Sequence, residues 1–360
     1  MKKILISFLV LCSTTTLAQD CDKEQLKTLP GKWLPQPGDE VHSGTPRPAA
    51  ADAAGAKNVF QRIGKMFQQE YQPVGVDVYN YLTHHITPGG TYGNWYIYTL
   101  SNFRFICVNG KKSRNSEGVS SSVHINPAGL FQFSEMPVYN EYGKVNPETS
   151  SSCGFYSLSP KECKGGKLPD LSSGYHRVES GNDYYVWITH EGKRPYRYVS
   201  RREFLEKQVA ICEANLKELN QQYSSKGWKE QFDAFPEYRE KMLEGRKNNL
   251  SMHENPLEAY RRDLKKDAAW LNEMAVVKSV SLRDPKTNAY QYSRYDFTTV
   301  DDPSMVVPVM PDPAYYNPKL PKSAPQFIVI NVGRTDGFIG ENIRKVVDNN
   351  IAFFKGLLVH

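Results

Sequence analysis

Hydrophobic periodicity changes at Ser200 and again near Ala275, and these two changes restrict the fold more than any other feature. Over residues 76–199 apolar side chains alternate or gather in short runs bounded by turn residues, the pattern of half-buried strands. Val76-Asp77-Val78-Tyr79-Asn80-Tyr81 alternates. Residues 94–108 are dense in Trp, Tyr, Phe and Ile and stop at Asn109-Gly110, a pair suited to a tight hairpin turn. Short strands are expected at 120–125 and 129–133. Residues 184–189 and 196–199 read as a hairpin around His190-Glu191-Gly192.

At Ser200 the period becomes helical. Ser200 and Glu203 match a capping box, in which the hydroxyl accepts from the backbone three residues on and the carboxylate reaches back. Leu205, Val209, Cys212, Leu216, Leu219 and Tyr223 then repeat at alternating steps of four and three, a seam that packs on a neighbouring helix. A second helix is expected over 236–248. A third is expected from Asn255-Pro256, with Pro at the first helical position. An earlier amphipathic helix is expected over 56–71.

Strand character returns at 276–282 and 289–299. Residues 303–325 hold seven prolines and read as a stiff, extended linker across the surface. Residues 326–332 form a strongly β-like run, and an amphipathic helix follows through Ile339, Ile343, Val346, Val347, Ile351, Phe354 and Leu357. The chain is therefore expected to be α+β: a β-rich body, a helical subdomain or insertion, and a C-terminal strand and helix. The expected segments are 1–18, 19–199, 200–275 and 276–360, with the late strands joining the first sheet around the helical insertion.

The first eighteen residues have the grammar of a secretory signal peptide. Lys2 and Lys3 precede a short apolar run over 4–12, and Thr16 and Ala18 are small residues before Gln19. Cleavage is expected near Ala18, which places the mature protein outside the cytoplasm, in the periplasm or beyond. The run is too short to span a bilayer, and no later segment is apolar enough to serve as a transmembrane anchor.

Charge narrows the partners. The formal net charge is +6, and two of those charges are Lys2 and Lys3. Residues 200–275 hold 14 Lys/Arg and 14 Asp/Glu and so net zero, which reads as a solvated helical surface. A nucleic-acid partner needs basic charge gathered on one face and is not expected. Five cysteines remain after the leader, and Cys153 with Cys163, flanking a short loop, is the preferred disulfide; all five as buried thiols is the alternative.

No stretch carries a cofactor or metal signature. His84-His85 would point to opposite sheet faces, and His190-Glu191 lacks the second histidine of a zinc-protease helix. The serines at 120–122 and 150–152 lack a nucleophile elbow. Two candidate ligand sites remain. Arg194, Arg201 and Arg202 cluster near a helix N-terminus, where the dipole favours an anion. Tyr96 and Tyr98 share one strand face as a platform for a sugar ring, and Trp95 joins them only if the strand starts irregularly.

Three functions follow, in order of preference. The first is a non-catalytic extracytoplasmic protein that binds a protein partner in the cell envelope through its helices, around Leu216 and Leu219. The second is a glycan-binding module using the aromatic strand. The third is an extracytoplasmic hydrolase whose active-site residues are dispersed along the chain.

Overall fold

The computed structural model describes residues 22–34, 41–43, 47–85, 93–115, 119–127, 134–135, 155–158, 163, 166–180, 182–283, 286, 290–333 and 337–359. The leader, Cys21, Cys153 and the expected strand at 129–133 lie outside them. In chain order the first elements are α1 (Lys23–Thr28), β1 (Val41–Ser43), α2 (Ala50–Glu70), β2 (Val76–His85), β3 (Trp95–Val108), β4 (Lys111–Arg114) and β5 (Val119–Ile125). Next come β6 (Ser134–Glu135), β7 (Tyr156–Leu158), β8 (Tyr175–Ser180), β9 (Asp183–Ile188) and β10 (Tyr196–Tyr198). The helical segment holds α3 (Arg201–Tyr223), α4 (Lys226–Ala234), α5 (Arg239–Asp263) and α6 (Ala268–Asn272). The chain closes with β11 (Val277–Arg283), β12 (Tyr290–Phe297), β13 (Val307–Pro311), β14 (Ile328–Val332), α7 (Phe338–Asn349) and α8 (Ile351–Lys355).

This is an α+β fold. The main sheet runs β1-β2-β3-β5-β14-β9-β8, with β4 paired to β3 off that path. A smaller sheet runs β10-β13-β7-β6, and β11-β12 is a separate hairpin. One face of the main sheet is covered by α2, α7 and α8, whose Phe60, Ile63, Phe67, Ile343 and Phe354 pack on Tyr96, Tyr98, Val123, Val186 and Ile330. Each such buried side chain contributes about 1.5–3 kcal/mol. The small sheet covers part of the other face through Val307, Val309 and Tyr196 against Trp187, Val178 and Val329. Strand β14 lies under both layers: Ile328, Ile330 and Val332 face the helices while Val329 faces the small sheet. Burial on both sides explains its nearly unbroken apolar sequence.

The excursion through the helices begins and ends at the small sheet. Strands β10 and β13 are antiparallel neighbours although the chain between them carries α3 to β12. Backbone bridges Ser200–Met274 and Val277–Val306 close its base. One late strand, β14, does enter the main sheet, whereas β11 and β12 form a hairpin whose one further bridge is Val277–Val306.

Several local expectations change. Strands β9 and β10 are not a hairpin: β9 pairs with β8 and β14, and β10 with β13. The six-residue link at 190–195 carries the chain from one sheet to the other. The proline-rich stretch is not a surface linker, because Val307, Pro308 and Val309 are buried inside the small sheet. Pro308 still accepts, its carbonyl taking the Val199 N–H at 3.1 Å. The two helices expected around Asn255-Pro256 are one, α5, with buried Pro256 in its interior. The capping signal there yields to tertiary packing of Leu257 and Tyr260 against α3.

Candidate functional site

Helices α3 and α5 pair as a long antiparallel arm. Its base is packed: Leu205 and Cys212 of α3 meet Leu257 and Tyr260 of α5, with Leu271 of α6 beneath. Arg261 reaches Glu213 at 2.7 Å, and Asn249 donates to the Tyr223 hydroxyl at 2.7 Å. The capping box is formed at the N-terminus of α3, where Ser200 and Glu203 bond reciprocally. At about 1.5 Å per residue, α3 carries the arm about 35 Å from the body.

Beyond Tyr223 the packing thins. No residue of 224–255 is buried. Helix α4 is capped by Ser225, whose hydroxyl accepts from the Trp228 N–H at 3.2 Å, yet it buries none of its own side chains. Trp228 rests edge-on against Tyr223, and Arg239 sits over the Phe232 ring. Phe235, Tyr238 and Leu243 are 50%, 51% and 50% exposed. They are three of the six large hydrophobics exposed among the described residues, and they fall within nine positions at the arm tip. Residues 226–241 hold four Lys/Arg and four Asp/Glu, so the charge around this patch sums to zero.

The seam residues expected to form the interaction surface do not. Leu219 is buried, and Leu216 packs against the cluster that joins α3 to α5. Phe235, Tyr238 and Leu243 were not singled out from the sequence. The readable signal was Trp228, Phe232 and Phe235, apolar residues at helical spacing with no second apolar stripe nearby to receive them.

Tyr96 and Tyr98 are each 1% exposed, in the core under α2. Their hydroxyls are spent inside, Tyr96 donating to the Ser323 carbonyl and Tyr98 accepting from the Asn80 amide. They therefore offer no accessible sugar platform, which corrects that expectation. Strand alternation places Trp95 on the other face, half-buried, where its indole N–H donates to His124 Nδ1 at 3.2 Å.

The arginine cluster does not gather into an anion site. Arg201 pairs with Glu273 at 2.9 Å and stacks on Trp270 and Phe297, tying α3 to α6 and β12. Arg194 is exposed and lies over the Tyr198 ring. Arg202 is half-buried on the first turn of α3. The anion at this helix N-terminus is the protein's own Glu203, held by Arg197 through two hydrogen bonds of 2.7 and 3.1 Å. These bonds, with those from Ser200, hold its carboxyl down at about 2 despite partial desolvation.

Cys163 is a buried thiol and not half of a disulfide, so the expected Cys153–Cys163 bridge is not formed. Cys212 is also a buried thiol, and burial pushes it up to about 12. Cys107 is disulfide-bonded, with neither of these as its partner. Among the described residues no cluster of His, Cys, Asp or Glu could hold a metal ion, and no helix is long and apolar enough to cross a membrane.

One serine–histidine contact needs a chemical test. Ser122 Oγ lies 2.8 Å from His124 Nε2 on β5. An indole can only donate, so Trp95 makes Nδ1 of His124 an acceptor and leaves the proton on Nε2. That nitrogen donates to Ser122 and cannot take its proton, so the pair lacks the tautomer a nucleophilic serine requires. His84 is buried on the helix-covered face beside Tyr96, and Glu191 is ion-paired with Lys355 at 2.5 Å, fixing the 190–195 link to α8. Comparison with protein-family models, with curated proteins and with solved structures finds no match to this chain.

Proposed function

We propose that this is a non-catalytic extracytoplasmic binding protein whose helical arm engages a protein partner through its tip. The observation that carries the reading is the exposure of Phe235, Tyr238 and Leu243 at the end of an arm in which no residue of 224–255 is fully buried. Burying the remaining half of each of these side chains contributes about 1 kcal/mol apiece. Aromatic anchors at the centre of a patch with a polar rim are the composition of a protein interface.

Charge argues for protein over other surfaces. An anionic membrane or a nucleic acid would be held by excess Lys/Arg, and the tip has none. Its interspersed signs give a partner register and exclude wrong partners. The two sheets serve as a rigid base from which the arm projects. The extracytoplasmic address rests on Lys2, Lys3, the apolar run at 4–12 and Ala18.

The test compares the mature protein with a Phe235→Ser/Tyr238→Ser/Leu243→Ser variant, all three positions being solvent-exposed so that folding is retained. The wild type is expected to retain a stoichiometric protein from cell-envelope extract that the variant does not. Equal retention by both, or tip-dependent flotation with phosphatidylcholine–phosphatidylglycerol vesicles instead, overturns the reading. A processed N-terminus at Gln19 in an extracytoplasmic fraction is the expected result for the address, and an intact Met1 contradicts it.

A further inference from the structure

A single cross-strand row runs over five strands of the main sheet on the face opposite the helices. Tyr81 pairs with Thr99, Thr99 with Ser122, Ser122 with Asn331, and Asn331 with Tyr185. All four pairings are antiparallel, and directly paired residues of antiparallel strands share a face. At about 4.8 Å per strand the row spans about 19 Å between its two tyrosines. Tyr81, Ser122, Asn331 and Tyr185 are half-buried, and Thr99 is buried between them. Tyr81 leans on Tyr79, which stacks on Phe103, so this end is an aromatic wall. At the other end Tyr185 packs against the core beneath the small sheet.

The row contains no Lys, Arg, Asp or Glu, and its hydrogen-bonding capacity is not used up internally. His124 Nε2–H donates to Ser122 Oγ, which leaves the serine's own proton available to donate outward. On the neighbouring strand, Asn331 Oδ1 has no hydrogen-bond partner among the described residues. This oxygen is itself screened from solvent, so it meets a ligand only after the amide turns about its broad terminal torsion. A donor and an acceptor thus stand side by side in mid-row, with a tyrosine at each end.

We infer that this row binds an uncharged glycan lying across the strands. A sugar hydroxyl donates and accepts at once, which matches the Ser122–Asn331 pair, and a pyranose face stacks on a tyrosine ring. An extended peptide is disfavoured, because peptides add to sheet edges through backbone bonds. Four of the five strands are paired on both sides, and the outer side of β2 is flanked by β1 at Thr83–His85 and by Trp33 at Val78. The absence of fixed charge excludes the pairing that a phosphate or carboxylate ligand would need. This site is separate from the arm tip and stands independently of the protein-partner reading.

The experiment is a titration of the mature chain with maltohexaose, cellohexaose and chitohexaose, followed by 1H–15N NMR and calorimetry. At least one hexasaccharide is expected to bind saturably, about ten-fold or more weaker in Tyr81→Ala and Asn331→Ala, the effect of about 1.4 kcal/mol of lost contact. Ser122→Ala removes one oxygen without opening a cavity and decides the matter if either other variant unfolds; it is expected to weaken binding several-fold at an unchanged Tm. Phe235→Ser is expected to bind the sugar as wild type does, which separates this site from the tip. No saturable binding of any of the three at millimolar concentration overturns the inference, as does binding that Ser122→Ala leaves unchanged.

Discussion

Arg197 grips Glu203 with both terminal guanidinium nitrogens at the place where the chain leaves the small sheet and enters the arm, Arg197 lying on β10 and Glu203 on the first turn of α3. The same carboxylate accepts from the Ser200 backbone N–H at 3.0 Å. One side chain therefore caps the helix and fixes the arm to the body.

This junction predicts a pH dependence. The Glu203 carboxyl is lowered in the folded state to about 2, chiefly by the Arg197 hydrogen bonds. A depressed carboxyl stabilises the fold above its unfolded pKa, near 4.5, and that contribution is lost as pH falls toward 2. Both side chains are 39% exposed, so solvent screening limits it to about 1 kcal/mol. Urea titrations of Glu203→Gln are expected to show a smaller stability loss between pH 5 and 2 than wild type. Identical slopes would contradict the assignment.

Ser121 carries a second prediction. Its side chain faces the helix-covered core, 4% exposed, and its Oγ has no hydrogen-bond partner among the described residues. Phe67, Leu100, Ile343 and Val347 line the space beside it, which leaves no room for a water to satisfy the hydroxyl. Removing a buried unsatisfied hydroxyl is worth about 1 kcal/mol. Chemical denaturation of Ser121→Ala is expected to show that gain, and a loss of similar size would count against it.

Gly75 is held in the left-handed region at φ +70°, between α2 and β2. A Cβ there would stand 2.8 Å from the Lys27 carbonyl oxygen and 3.0 Å from the Phe338 ring. Gly75→Ala is thus expected to destabilise by about 2 kcal/mol or more, from strain and steric contact together. A melting temperature within a degree of wild type would contradict this.

The cysteines give a fourth check. Cys163 and Cys212 are buried thiols, so both are expected to resist a thiol reagent in the native protein and to react on unfolding without reductant. Peptide mapping that finds Cys163 in a disulfide would refute that pairing state.

What could be read from the sequence was local. Asn109 and Gly110 both adopt positive φ at the turn between β3 and β4, as the dipeptide indicates, and the Ser200–Glu203 box depends on four consecutive residues. Alternation also separated Trp95 from Tyr96 and Tyr98. Which side was core was hidden, because α2 and the distant α7 decide it. Proline content misdirected the reading of residues 303–325, since Pro308 is held by neighbouring strands that local composition does not reveal. The arm tip was overlooked because Phe235 and Tyr238 resemble core residues until their surroundings are known to be empty. The Tyr81–Tyr185 row is a matter of register between strands separated by as much as the whole β body and the arm.

The central claim, that the arm tip is the contact surface, is tested most directly by photo-crosslinking in living cells. A photoreactive residue is placed at Tyr238 and, as a control, at exposed Ser279 on β11. The account predicts one discrete protein adduct from position 238 that disappears when Phe235→Ser and Leu243→Ser are added, and none from position 279. The same adducts from both positions, or an adduct at 238 that survives those substitutions, would contradict it.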